Sequence, residues 1–300
     1  MTRPTPGNAL KQLQHPLFEN DPEADVTFCS TDGDMFHLQR KYLEANTGAF
    51  PGSEFDTRGE ITHLTETSVV LHLLFQFVYP RREPSIEDID FETLYALAEA
   101  AEKYEAFHAM TMCKIQMRSH VSKHPLEVLS HAARHDYPGL IQDAVPHLLR
   151  KPMVDVIEQL PTKFIVPWVR FRESWDSSFE QAIKGVLELR VVPPNTVTKH
   201  AIYFSRSLEP EICSICMVSV LTTLYKLKEM ETVEDLKEAL TKKRAKQAGC
   251  LSSACQYVNI VASTCANLKT KLDELPAFST FVPTAAAPHN ITNVSQKNNT

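Results

Sequence analysis

DVTFCSTDGDMFHLQRKYLEANTGAF, residues 25 to 50, holds three structural elements in succession. Val26 and Phe28 alternate with Thr27 and Cys29, the pattern of a half-buried strand. Thr31-Asp32-Gly33-Asp34 supplies turn chemistry, with Gly33 free to take positive φ. Met35-Phe36-His37-Leu38 reads as the returning strand. Arg40 to Ala45 then reads as a short helix, ended near Asn46 and Gly48.

Working outward, Glu60-Ile61-Thr62-His63-Leu64 reads as a third strand. Ser68 to Tyr79, SVVLHLLFQFVY, is apolar on nearly every face, which predicts a buried helix. Pro80 stops it. Asp90 caps a further helix that carries Phe91, Leu94, Leu97, Ala98, Ala101 and Tyr104 on one stripe.

The order of these elements resembles a BTB/POZ domain. Asp25, Val26, Gly33, Phe36, Arg40, Leu43, Thr47 and Phe50 stand at that family's spacing. Ala101-Glu102-Lys103-Tyr104, followed by Cys113, resembles its Ala-x-Lys-Tyr and downstream Cys, so the likeness covers roughly residues 23 to 120. Gln39 stands where the family has His. The resemblance implies an α+β fold: a small sheet flanked by helices, then an all-α region. It also implies a module that holds protein partners and does no chemistry. Asp25 and Arg40 are expected near one pocket, within salt-bridge reach, with Phe50 and Phe55 as further interaction residues. Cullin-binding members follow Ser/Thr-x-x-Phe with a hydrophobic-x-Glu segment. Here Gly52 occupies the hydrophobic position before Glu54, so a cullin scaffold as partner has no support from that segment. Members that exchange a long first helix across a dimer also differ. Pro4, Pro6, Pro16 and Pro22 leave only Ala9 to Gln14 for a helix, which predicts a monomer or a weak dimer. His15-Pro16-Leu17-Phe18 is similar to the short lead-in of fungal BTB proteins.

A length of 300 residues at 33.9 kDa suggests two domains, and 43% hydrophobic residues suffice for ordinary cores. Net charge of -6 and a pI near 6.1 argue against nucleic acid as a partner of the whole chain. No apolar run is long enough for a membrane span, and MTRPTPGNALKQ lacks the apolar core of a signal peptide. The seven cysteines are therefore expected as reduced thiols in the cytoplasm or nucleus. The three Asn-x-Ser/Thr triplets after Asn290 are then chance matches. With 8 Gly there is no phosphate-binding loop or nucleophile elbow, so no enzyme and no cofactor is expected.

The expected organisation is a flexible segment 1–22, the BTB/POZ domain 23–122, a helical extension 123–211, a helical hairpin or bundle 212–282 and a disordered tail 283–300. In the extension, helices are predicted at Pro125–His135, Pro138 to about Leu149, and Pro152–Leu160. Trp168, Phe171, Trp175 and Phe179 recur at helical spacing and read as core rather than as a groove for a partner. Val191 to Thr196 reads as a connection. Then come a helix over Ile212–Met230, one capped by Thr232, and one over Leu251–Leu275. The first and last, with Cys213, Cys216, Cys255 and Cys265 on their seams, are expected to pack on each other.

Cys213, Cys216, Cys250 and Cys255 invite a zinc reading, since four thiolates suit a tetrahedral ion. On a continuous last helix, however, Cys250 and Cys255 would diverge by about 140°. Core packing of small apolar thiols is the preferred reading, leaving the chain without an expected metal. A zinc-stabilised regulator anchored by the BTB half is the alternative. His131 and His135 lie four apart on one predicted helix, without a third ligand in sequence, and are expected on its surface. Lys242-Lys243-Arg244-Ala245-Lys246 is a basic run that reads as a solvated face rather than a nuclear-import signal.

Overall fold

The computed structural model describes residues 18, 21–50, 59–193, 210–230, 232–244, 250, 252 and 255–283. It is a mixed α+β structure, mostly helical with a small sheet, in two compact units, Met1–Leu148 and Leu149–Thr300. The division falls after Leu148 rather than at residues 122 and 211. The first two helices of the extension pack with the preceding ones, and the later helices gather around one long helix.

In the first unit, β1 (Val26–Cys29) and β2 (Met35–Leu38) form the expected hairpin, with Phe28 opposite Phe36. Gly33 turns it at φ +92°, a conformation costly for any residue with a Cβ. α1 (Arg40–Asn46) follows, and β3 (Ile61–His63) pairs in parallel with the free side of β1, giving the order β2-β1-β3. α2 (Ser68–Val78) buries Val70, Leu71, Leu73, Leu74, Phe75, Phe77 and Val78, as its all-round apolar sequence demands. In α3 (Phe91–Lys103), Asp90 accepts the Thr93 backbone N–H at 2.9 Å, a cap that stabilises such a helix by about 1 kcal/mol. α4 (Phe107–His120), α5 (Pro125–Arg134) and α6 (Pro138–Leu148) complete the unit.

Phe75 is the centre of the core. Its ring meets Phe18, Phe28, Phe36 and Phe50 at centroid distances of 6.1, 5.8, 5.4 and 6.4 Å. Phe18 is buried here, so the segment 1–22 contributes to the core at that residue. The rest of that segment up to residue 20, including Ala9–Gln14, lies outside the described residues, as does the tail from residue 284 with its Asn triplets.

In the second unit, α7 (Met153–Gln159) leads into α8 (Thr162–Leu187). Trp168, Phe171, Trp175 and Phe179 are all buried, so the aromatic stripe is core, closed by Phe278 of a short 3-10 turn. β4 (Arg190–Val192), read from sequence as a connection, is a strand paired in parallel with β5 (Glu211–Cys213). α9 (Ser214–Lys228), α10 (Val233–Thr241) and α11 (Tyr257–Asp273) follow. α9 and α11 do touch, but both lean chiefly on α8. Lys228 reaches Asp176 at 3.2 Å and Lys271 reaches Gln181 at 2.6 Å. α10 lies on α11 through Leu236, Ala239 and Leu240, with Thr232 as its cap. Two helix starts differ from expectation. Ile212 and Cys213 are strand, and the last helix begins at Tyr257 rather than at Leu251.

Candidate functional site

α1 starts at a residue, Gln39, whose side chain makes no capping bond. Asp25, the residue before β1, supplies the missing acceptor: its Oδ1 takes the Arg40 backbone N–H at 2.7 Å. The expected salt bridge between the two side chains is therefore replaced by a bond from the Arg40 amide to the Asp25 carboxylate. The Arg40 side chain is 6% exposed and lines a cavity of about 200 Å³ with Phe28, Leu43, Phe50, Thr62, Leu64 and Tyr104. Phe50 stacks on Tyr104 with centroids 4.8 Å apart. Phe55, Gly52 and Glu54 lie outside the described residues.

Tyr104 is held by Glu66, a residue that sequence reasoning passed over. Its hydroxyl donates to Glu66 Oε2 at 2.6 Å, and Lys103 Nζ donates to Glu66 Oε1 at 2.8 Å. Burial and then the Glu66 hydrogen bond push the Tyr104 hydroxyl up to about 12. Burial works to raise the Glu66 carboxyl, but hydrogen bonds from Lys103, Tyr104 and Thr65 outweigh it and the pKa falls. Beside this cavity β3 exposes all three of its residues, and its outer edge pairs with no other strand among the described residues. Such an edge presents unpaired backbone groups to a partner.

His131 is not a surface residue: it is 1% exposed. The group it faces is Glu99 of α3, absent from any local pattern. Glu99 accepts from His131 Nδ1 at 2.6 Å, from Arg134 through both oxygens at 2.9 Å, and from His135 Nε2 at 3.3 Å. Two imidazoles and a carboxylate within 4.8 Å satisfy a metal-ligand geometry. The Arg134 guanidinium already occupies both carboxylate oxygens, so this is an ion-pair network that places a fixed cation where a metal would sit.

The cysteines are buried thiols as expected, but four of them converge, which the helical spacing argued against. Cys213, Cys216, Cys250 and Cys255 are all buried, and their four Sγ atoms lie within 4.8 Å of one another. The objection from helical spacing fails because α11 starts at Tyr257, leaving Cys250 and Cys255 on the preceding chain. That chain is bound to β5: the Gln256 amide donates to Glu211 O at 2.9 Å, and the Cys213 amide donates to Cys255 Sγ at 3.4 Å. Cys213 is the N-cap of α9 and Cys216 its third residue, so both sit at the positive end of the helix. Burial pushes the Cys216 and Cys250 thiols up. For Cys213 burial is opposed and outweighed by hydrogen bonds from the Cys216 amide and the neighbouring thiols, and its pKa falls. Cys265 stands apart on α11, where Arg244 Nη1 donates to its sulfur at 3.4 Å. Arg244 also bonds Ala239 O and is half-buried, while Lys242 and Lys243 are exposed as expected. Lys246 lies outside the described residues.

No family model and no curated protein matches this chain. Among the described residues no helix is long and apolar enough to cross a membrane.

Proposed function

We propose that this chain is a non-enzymatic protein–protein interaction module whose first unit is a BTB/POZ-type domain. It engages a protein partner through the Arg40 cavity and the neighbouring β3 edge. The observation that carries the reading is a buried arginine in a mainly apolar cavity beside an exposed sheet edge. Apolar pockets with a few placed polar groups bind specifically, and strand edges bind extended peptides. The residues that resemble the family support it. Asp25 caps α1, Phe28, Phe36 and Phe50 join one aromatic core, and Thr47 Oγ1 donates back to Leu43 O at 2.7 Å.

The test is affinity capture with the full chain, comparing wild type, Ile61→Arg and Lys243→Glu. Ile61 is 49% exposed on β3, so the arginine should leave the fold within about 0.5 kcal/mol of wild type. Partners held by wild type and Lys243→Glu, but captured about tenfold less by Ile61→Arg, support the reading. An unchanged set of partners with Ile61→Arg removes it.

Self-association through this unit is expected to be weak at most. Light scattering over a dilution series should give the mass of a monomer, or of a dimer that dissociates on dilution. A dimer that persists at nanomolar concentration contradicts this.

A further inference from the structure

We propose that Cys213, Cys216, Cys250 and Cys255 form a structural zinc site that ties β5, the start of α9 and the chain leading into α11 into one unit. This inference concerns the second unit and stands independently of the reading of the first.

The geometry is that of a single tetrahedral ion. Zinc–thiolate bonds of about 2.3 Å place the sulfurs at the corners of a tetrahedron with edges of about 3.8 Å. Cys213 Sγ and Cys250 Sγ are 3.6 Å apart, and no pair in the set exceeds 4.8 Å. A disulfide needs about 2.05 Å between sulfurs, so Cys213 and Cys250 stand as thiols; all four are free cysteines. Four sulfurs and no weaker ligand select zinc or iron over the hard cations. Four protein ligands also leave no open position for water, which marks a structural rather than a catalytic site.

The alternative is that the thiols fill space as small apolar side chains. Cys29, Cys113 and Cys265 show how that looks in this chain. Each is buried, and none belongs to a group of ligand-bearing side chains among the described residues. The other four meet at one point, although they come from a strand end, a first helical turn and two positions, Cys250 and Cys255, ahead of α11. Four short side chains packed together fill a core poorly. Their convergence is explained by a common ligand.

The surroundings suit a site that carries negative charge. Zinc with four thiolates has a net charge of -2, and this charge would sit at the N-terminus of α9, where backbone N–H groups lack intrahelical acceptors. The Cys213 amide already points at Cys255 Sγ, the contact that orients a thiolate ligand. The site also replaces what is missing from the local fold. β4 and β5 pair over only three residues each, and in the stretch before α11 neither Cys250 nor Cys255 is helical. An ion bound by residues 213 and 255 fixes that stretch against the strand.

Full-length protein, purified with a thiol reductant and no chelator, should contain about one zinc per chain by elemental analysis. Cys250→Ser/Cys255→Ser should lower that content about tenfold or more, whereas Cys265→Ser should keep it. Replacement of zinc by cobalt(II) should give the visible bands of a tetrahedral four-thiolate centre and a thiolate-to-cobalt charge-transfer band. If the double variant does not fold, Cys250→Ser alone keeps three thiolates, and its altered cobalt spectrum reports the lost ligand directly. Folded wild type that holds no zinc and gives no tetrahedral cobalt spectrum overturns the proposal. Iron in place of zinc, or disulfides among these four cysteines under reductant, overturns it equally.

Discussion

Phe75→Ala will destabilise the first unit by about 3–5 kcal/mol, the range for removing a fully buried phenylalanine. Phe75 has no exposed surface and touches four other phenylalanine rings. Truncation leaves a cavity bordered by Phe28 of β1, Phe36 of β2, Phe50 and Phe18. Phe107, which is 50% exposed, is the matching control and should change stability by less than about 0.5 kcal/mol when replaced by Ala. Denaturant unfolding read by native-state hydrogen exchange separates the first unit from the second. A loss below about 1 kcal/mol for Phe75→Ala would mean that the ring is not central to the core.

Glu99→Gln should cost about 2–3 kcal/mol at neutral pH, because one carboxylate accepts charge-assisted bonds from Arg134, His131 and His135. The cost should depend on pH, and its sign is fixed by the direction of the Glu99 shift. Burial works to raise that pKa, but His131, Arg134 and His135 outweigh it and hold it below the ordinary 4.5. A depressed carboxyl contributes stability above its unfolded pKa and loses it as pH falls through the folded one. The gap between wild type and variant should therefore be full above about pH 5 and close as the pH drops below 4.5. Thermal unfolding of both proteins from pH 7 to pH 3 measures it. A gap that is the same at every pH would show that Glu99 acts through shape rather than charge.

Much of the first unit was legible because its signals are local. Alternating Val26 and Phe28, the Gly33 turn, the apolar run of α2 and the Asp90 cap each name a conformation within a few residues. The surroundings of Arg40 were legible less fully. Asp25 was identified as a partner of Arg40, but a sequence does not show that it caps the amide rather than meeting the guanidinium. Glu66 and Glu99 gave no signal at all, since Tyr104 and Lys103 reach the first, and His131, Arg134 and His135 the second, from more than thirty residues away. The convergence of the four cysteines was hidden for the same reason. Cys255 falls on the apolar period of Val258, Ala262 and Cys265, which extends the helix on paper. In the fold, the Gln256 amide bonds Glu211 O on β5, and the helix begins only at Tyr257. The β4–β5 pair that makes this contact joins two three-residue strands, too short for any periodicity to show.

Phe18 carries a last consequence. The recognisable pattern of the first unit begins near Asp25, yet the ring of Phe18 sits among Phe36, His72, Phe75 and Tyr79. The boundary read from the sequence and the mechanical boundary of the folded body are therefore different places. A fragment cut to begin at the pattern leaves a hydrophobic socket the size of one aromatic ring, open to water or to any foreign side chain that fits. The residue before the signature acts as a stopper for it, and a piece of this chain prepared without that residue would be prone to self-adhesion.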